Sequence, residues 1–197
     1  MTAALQFAPS PRLTANRRQA VLDAAAARFS NQGYDVASMR DIAKDAGMLA
    51  GSMYYHFASK EELLFAVHEA GVARFEAAVA AALAGQREPW ARLEAAVVAH
   101  LETLLAGGDF TRVVIRELPR EPLSLRDRLA GLRDGYEALF RQLIDDLPLP
   151  PDADRSLLRL MLMGAMNWSQ GWYRPGGQTP AQIGRGFISL LKKELRP

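Results

Sequence analysis

Residues 38–64 read SMRDIAKDAGMLAGSMYYHFASKEELL, and the fold turns on this stretch. Ser38 suits the N-cap of a short helix, with Ile42, Ala43 and Ala46 facing inward. Gly47 supplies a tight turn. A second short helix runs from about Leu49 to Phe57. Ser59-Lys60-Glu61-Glu62 then reads as a capping box, in which Ser59 caps and Glu62 reaches back to it. Two short helices joined at a glycine form a helix-turn-helix, whose second helix can lie in a DNA major groove.

Working outward, the spacing predicts helices on both sides. Val21, Leu22, Ala25 and Phe29 recur at three- and four-residue steps, giving a helix from about Thr14 that Gly33 ends. After Ser59 a long helix carries Leu63, Leu64, Val67, Ala70, Phe75, Ala78, Val79 and Leu83 to about Ala84. Further helices are expected over Trp90–Ala106, Phe110–Leu118, Leu125–Leu147 and Asp152–Tyr173. A last one starts at Thr179-Pro180-Ala181-Gln182 and ends near Leu195. No alternating run is long enough for a strand. The expected class is all-α with about nine helices.

Composition narrows the field. The chain has 197 residues, 49% of them hydrophobic, and no Cys. That fits a globular protein and excludes disulfides and thiolate metal sites. No segment approaches the roughly 18 apolar residues of a membrane span, and the N-terminus lacks a signal-peptide core, so the expectation is a cytoplasmic protein with no membrane partner. Net charge is only +2. The basic residues Arg12, Arg17 and Arg18 nevertheless fall in a stretch free of Asp and Glu, either a phosphate-touching arm or a solvated terminus. With His56, His68 and His100 as the whole histidine complement and no HExxH, GxSxG, GxGxxG or P-loop pattern, an enzyme is not expected. No metal or cofactor is implied.

A short helix in a groove brings few side chains to base edges. Gly51 allows close approach, Ala50 offers a methyl to thymine, and Ser52 can donate or accept. Tyr54 and Tyr55 carry hydroxyls for phosphates or base edges, although one of them can instead pack inward. His56 and Lys60 are placed to meet the backbone, with a helix-end cap the alternative for His56. Ser38 and Arg40 are candidates for the flanking phosphates. Met53 and Phe57 read as core.

This segment resembles the DNA-binding domain of TetR-family transcriptional regulators. Ser38, Ile42, Ala43, Ala46, Gly47, Tyr54, His56, Phe57, Ser59, Lys60, Glu61 and Leu63 stand in the family's register, as do Ala24 to Phe29 and Gly33-Tyr34 upstream. One departure is Leu49, where the family often has a capping Ser. The resemblance implies a DNA-binding domain over residues 14–74, a ligand-binding and dimerisation domain over 75–197, and a repressor released from double-stranded operator DNA by a small molecule.

One reading helix gives too little specificity, so a two-fold dimer is expected. Met161, Ala165, Trp168 and Trp172 repeat along one face, with Gly164 and Gly171 on the same helix. Ile183, Phe187, Leu190, Leu191 and Leu195 form a second stripe beside Gly184 and Gly186. Two helices per subunit can pack as a four-helix bundle, the arrangement the family resemblance also implies; an ordinary core within one subunit remains the alternative.

Polar residues in apolar company suggest an inducer site. The candidates are Arg116, Tyr136, Asn167, Gln170 and Arg174, around an interior lined by methionines such as Met163. Asn167-Trp168 followed by Trp172-Tyr173-Arg174-Pro175-Gly176-Gly177 is similar to a TetR subgroup linked to acyl-CoA thioesters, which implies an acyl-CoA inducer with Arg116 or Arg174 on its charged groups. Dimer packing by Asn167, Trp168 and Trp172, with Arg174 merely in a helix stop, remains open. The rival function is an all-helical interaction module without DNA binding, which leaves Gly51-Ser52 and the tyrosine-histidine group unexplained.

Overall fold

The structure, a computed structural model, describes residues 11–115 and 123–195, and every regular element among them is a helix. In chain order these are α1 (Pro11–Gln32), α2 (Met39–Asp45), α3 (Ala50–Met53), α4 (Lys60–Leu83), α5 (Pro89–Ala106), α6 (Asp109–Ile115), α7 (Leu123–Asp145), α8 (Arg155–Trp172) and α9 (Pro180–Glu194). The side chains of Arg12 and Arg116 lie outside the described residues. None of the described helices is long and apolar enough to cross a membrane.

Local chemistry places the helix ends. Oγ of Ser38 accepts from the Asp41 amide at 3.1 Å, and Oγ of Ser59 from the Glu62 amide at 3.2 Å. Asp154 caps α8 through the Leu157 amide at 2.9 Å. Thr179 and Gln182 complete a reciprocal capping box at 3.2 and 2.8 Å, with Pro180 in the first turn. Gly33 and Gly47 take positive φ, 86° and 66°, and close the turns after α1 and α2.

Two local expectations are corrected. The helix expected over Leu49–Phe57 is regular only from Ala50 to Met53. Beyond it Tyr55 N donates to Ser52 O and His56 N to Met53 O, the tighter three-residue step, as Phe57 turns into the core beside Met53. At α4, Glu62 does not return to Ser59; its carboxylate is held by Arg128 of α7.

Apolar residues form two cores. The first joins Val21, Leu22, Ala25 and Phe29 of α1 with Ile42, Met53, Phe57, Leu63, Leu64 and Val67. Phe110 and Val113 of α6, and Leu125 and Leu129 of α7, are built into it as well. The second gathers Val72, Phe75 and Val79 of α4 with the apolar face of α5, then Tyr136, Phe140 and Ile144 of α7, Leu162, Met163 and Met166 of α8, and Ile183 and Ile188 of α9. Thus α4, with 24 residues and about 36 Å of length, runs through both. Gly71 marks its crossing with α6. A Cβ there would fall 2.4 Å from Val114 Cγ2 and 3.3 Å from the Phe110 carbonyl oxygen.

The last two helices differ in how much of their apolar stripes the chain itself covers. On α9, Ile183 is buried, and Phe187 and Leu191 are half-buried and pack against the second core. The apolar side of α9 lies on α5, where a Cβ on Gly184 would come within 3.2 Å of Val98 Cα. Of the expected dimer residues on α8, Ala165 is half-buried and Gly164 exposed. Met161, Trp168 and Trp172 stand out at 53%, 73% and 45% exposure. Leu157 and Leu160 extend that face along α8, and Leu190 of α9 is exposed as well.

Candidate functional site

The helix-turn-helix presents its hydroxyl-bearing side to solvent. Ala50, Gly51, Tyr54 and Tyr55 are exposed, both tyrosines outward, with Tyr55 92% exposed. Ser52 and His56 are half-buried. Met53 at 0% and Phe57 at 5% exposure anchor the other side. A Cβ on Gly51 would meet nothing within 4 Å, so the glycine is needed for nothing inside the chain. Between α2 and α3 lies a surface hollow of about 780 Å³ lined by Ser38, Arg40, Asp41, Lys44, Gly47, Met48, Leu49 and Ala50. Arg40 is exposed there, and Lys44 is a second cation that sequence reasoning missed, because on a short helix it reads as an ordinary solvated charge. Leu49 caps α3 without a side-chain hydrogen bond and is 79% exposed. Arg28 and Asp45, paired at 2.5 and 3.0 Å, tie α1 to the end of α2. The Arg28 guanidinium holds the Asp45 carboxyl below its ordinary value.

Lys60 is corrected. Its ammonium donates to the carbonyl oxygens of Tyr34, Ala37 and Asp35 at 2.9, 3.1 and 3.4 Å, and lies over the Tyr34 ring at 4.3 Å. An ammonium has three N–H donors, and all three are occupied within the chain. Lys60 therefore fastens the α1–α2 loop rather than reaching for a phosphate. The capping-box pattern concealed this, because the loop it holds lies more than twenty residues earlier in the chain.

The second core opens into a cavity of about 700 Å³. Val72 and Phe75 of α4, Val114 and Ile115 of α6, and Met163 of α8 form its apolar walls. Of the residues expected to meet an inducer, Tyr136, Met163, Asn167 and Gln170 line it. Arg174 does not; it is exposed and its guanidinium donates to the Tyr173 carbonyl at 2.8 Å. Two residues assigned to the dimer face, Gly164 and Trp168, also line the cavity. Sequence reasoning missed His100, Arg133 and Glu137, whose helical positions carried no motif.

The polar part of this cavity is compact. Nδ1 of His100 lies 2.9 Å from the Tyr136 hydroxyl. Phe75, Tyr136 and Phe140 surround the imidazole at centroid distances of 5.1, 5.8 and 6.0 Å. Burial pushes His100 down to about 4, so it is neutral at pH 7; Asn167 is close enough to oppose that shift in part. No hydrogen bond of normal geometry reaches Nε2 of His100. Burial also raises the Tyr136 hydroxyl above its ordinary value, so it remains protonated. Glu137 is ion-paired with Arg159 of α8. No ion pair joins Arg133 to another described residue, which makes it the available cation of the cavity wall. No group of His, Asp and Glu among the described residues is placed to hold a metal ion.

Comparisons with known proteins bear on both regions. Residues 21–67 match the family model described as bacterial regulatory proteins, tetR family, and residues 86–195 one described as a tetracyclin repressor-like C-terminal domain. The HTH-type transcriptional repressor KstR2 of Mycobacterium tuberculosis is 29% identical over 184 residues, which span 89% of this chain and 91% of that one. AibR, solved in complex with isovaleryl coenzyme A and operator DNA, superposes with a TM-score of 0.75 at 24% identity, covering 88% of this chain and 97% of AibR. FadR of Bacillus subtilis, in complex with stearoyl-CoA, gives 0.75 at 20% identity, covering 90% and 99%.

Proposed function

The chain belongs to the TetR family of bacterial regulatory proteins, which are transcriptional regulators and not enzymes, and on that premise we propose that it is a homodimeric repressor released from its operator by an acyl-CoA thioester. The observation that carries this is the path of α4. Its first turns, Leu63 to Val67, build the core under the helix-turn-helix, and its later turns, Val72 and Phe75, wall the cavity. One rigid helix thus links the DNA-reading unit to the ligand site.

The division of labour follows from the side chains. Ala50, Gly51, Ser52, Tyr54 and Tyr55 face the major groove. Ser38, Arg40, Lys44 and His56 face the flanking phosphates, positioning rather than reading. A second copy covers the exposed face of α8, from Leu157 and Leu160 to Trp168 and Trp172. A contiguous apolar surface of that kind is unfavourable in water, and two-fold symmetry makes it complementary to itself. The residue ranges 14–74 and 75–197 describe the two functions, with α6 and the start of α7 docked from the second onto the core of the first.

A thioester suits the cavity. Its apolar walls take an acyl chain, Arg133 faces the anionic coenzyme, and the two structural neighbours AibR and FadR hold coenzyme A thioesters on the same fold. Ligand volume between α4, α6 and α7 separates the two reading helices, and the dimer then prefers a spacing that no longer fits one duplex. Such a protein works wherever the chromosome is, which in a bacterium is the cytoplasm.

The test is a fluorescence-anisotropy titration at fixed salt, using the DNA upstream of the protein's own gene. Nanomolar binding that weakens when long- and short-chain acyl-CoAs are added is the expected result. Absence of DNA binding at low ionic strength would overturn the repressor reading, and binding indifferent to every thioester would overturn the ligand class.

A further inference from the structure

We propose that Leu49 reads a base: its isobutyl group packs against the C5-methyl of a thymine in the major groove, so each operator half-site carries one thymine that this side chain selects. The inference rests on the reading of the chain as a DNA-binding repressor and adds a residue to the set that recognises sequence.

The backbone aims Leu49 outward. Met48 packs against the helix-turn-helix core. Leu49 follows it with an extended backbone, φ −72° and ψ 139°, and side chains alternate in direction along an extended stretch. The Leu49 carbonyl oxygen accepts from the amides of Ser52 and Met53 at 2.9 and 3.3 Å, which fixes the residue to the start of α3. Its side chain makes no capping bond and is 79% exposed. A single exposed leucine is ordinary on a protein surface. This one stands at the leading end of the reading helix, the end whose residues meet base edges in a helix-turn-helix.

Charge indicates what covers it. Leu49 and Ala50 line the hollow between α2 and α3 together with Arg40 and Lys44. The hollow's one carboxylate, Asp41, accepts from the Ser38 hydroxyl at 2.7 Å. Two cations beside an apolar tip match a duplex, whose phosphates are anionic and whose major groove offers one apolar group, the thymine methyl. The leucine side chain has no donor or acceptor, so it takes no part in hydrogen bonds to phosphates or base edges. Closing it against a methyl removes apolar surface from water on both sides. Cytosine and the purines carry no such methyl. Packing on a deoxyribose would add affinity without sequence preference, and the experiment separates the two.

The experiment uses the full chain and a duplex that it selects from a random library, in which thymines are replaced one at a time by deoxyuridine. That replacement removes the methyl and leaves every hydrogen-bonding edge intact. Fluorescence anisotropy at fixed salt gives each affinity. One thymine in each half-site is expected to lose about fourfold in wild-type binding per half-site on replacement. Leu49→Ala, which like leucine offers no capping oxygen, should bind the thymine duplex about as weakly as the wild type binds the uracil duplex, and should be indifferent to the replacement. Leu49→Ser is the second variant. Its hydroxyl can cap α3, and it should show the same indifference. No thymine whose replacement weakens the wild type, or every sensitive thymine staying sensitive in both variants, overturns this inference alone; the latter is the result a sugar contact gives. Failure to select any duplex overturns the repressor reading and this inference with it.

Discussion

Arg128 of α7 grips Glu62, in the first turn of α4, through two hydrogen bonds of 2.6 and 3.2 Å. The guanidinium also covers the Phe65 ring at 3.8 Å, and it holds the Glu62 carboxyl below its ordinary value. The pair therefore joins the cavity-lining helix α7 to the helix start that follows the DNA-reading turn. A second polar link, Ser30 to Asp109 at 2.5 Å, joins α1 to α6. Both bonds cross between the helix-turn-helix core and the helices that line the cavity.

Breaking the first link should alter communication more than folding. Both partners are exposed, and exposed ion pairs add little to stability. Arg128→Gln is expected to keep the melting temperature near wild type. The thioester concentration needed for half-release of operator should shift by roughly two- to thirtyfold, the range for substitutions that modulate coupling. An anisotropy competition curve measures it; an unchanged midpoint would show that α4 is driven through apolar packing alone.

Two cations near the helix-turn-helix should behave differently. Arg40→Gln is expected to weaken binding to all DNA sequences alike and to lower the slope of log affinity against log salt by about one, as for one lost phosphate contact. Lys60→Met should instead leave that slope unchanged and reduce thermal stability, since three loop carbonyls lose their donor. Affinity at four salt concentrations, with a melting curve for each variant, separates the two.

The exposed α8 face gives a prediction about assembly. Leu160 is 55% exposed and does not line the cavity. Leu160→Asp places a charge in each half of a symmetric apolar interface and should yield monomers by light scattering at micromolar concentration. Operator affinity should fall at least a hundredfold, because one reading helix binds without its partner. A variant that stays dimeric would move the interface elsewhere.

Acid should weaken the fold through two buried histidines. Burial pushes both His68 and His100 down to about 4, with Arg133 adding to the effect at His68. A histidine whose folded value is depressed binds its proton more readily when unfolded. Its contribution is complete above about 6.5 and is lost as pH falls toward 4, by about 2 kcal/mol per group at pH 5. Denaturant unfolding at pH 7.5 and 5.0 should show this loss, and His68→Leu should shrink the gap between the two. Equal stabilities at both pH values would contradict the sign.

Much of this protein is legible from residue order alone. Ser38, Ser59 and Thr179 start helices because their oxygens reach amides three positions on, and Gly33 and Gly47 end turns because they tolerate positive φ. Such bonds span a single turn, so residue types at fixed spacing are enough to place them. The nine helices among the described residues, the helix-turn-helix and its family register all follow from signals of that range. Tyr136, Met163, Asn167 and Gln170, polar or soft residues on apolar faces, are expected from sequence to share one site, and the fold places them on the wall of one cavity.

Which way a face turns is a different matter. The stripes on α8 and α9 have the same period, yet Ile183 and Ile188 of α9 are buried in the chain's own core while Met161 and Trp172 of α8 are exposed. Periodicity defines a stripe but not the surface it meets. Lys60, Arg128 and His100 were likewise beyond reach, because their partners, Tyr34, Glu62 and Tyr136, lie 26, 66 and 36 positions away. Contacts at that separation exist only once the helices have packed, and it is packing that turned a capping-box lysine into a loop clasp and a core histidine into the polar wall of a cavity.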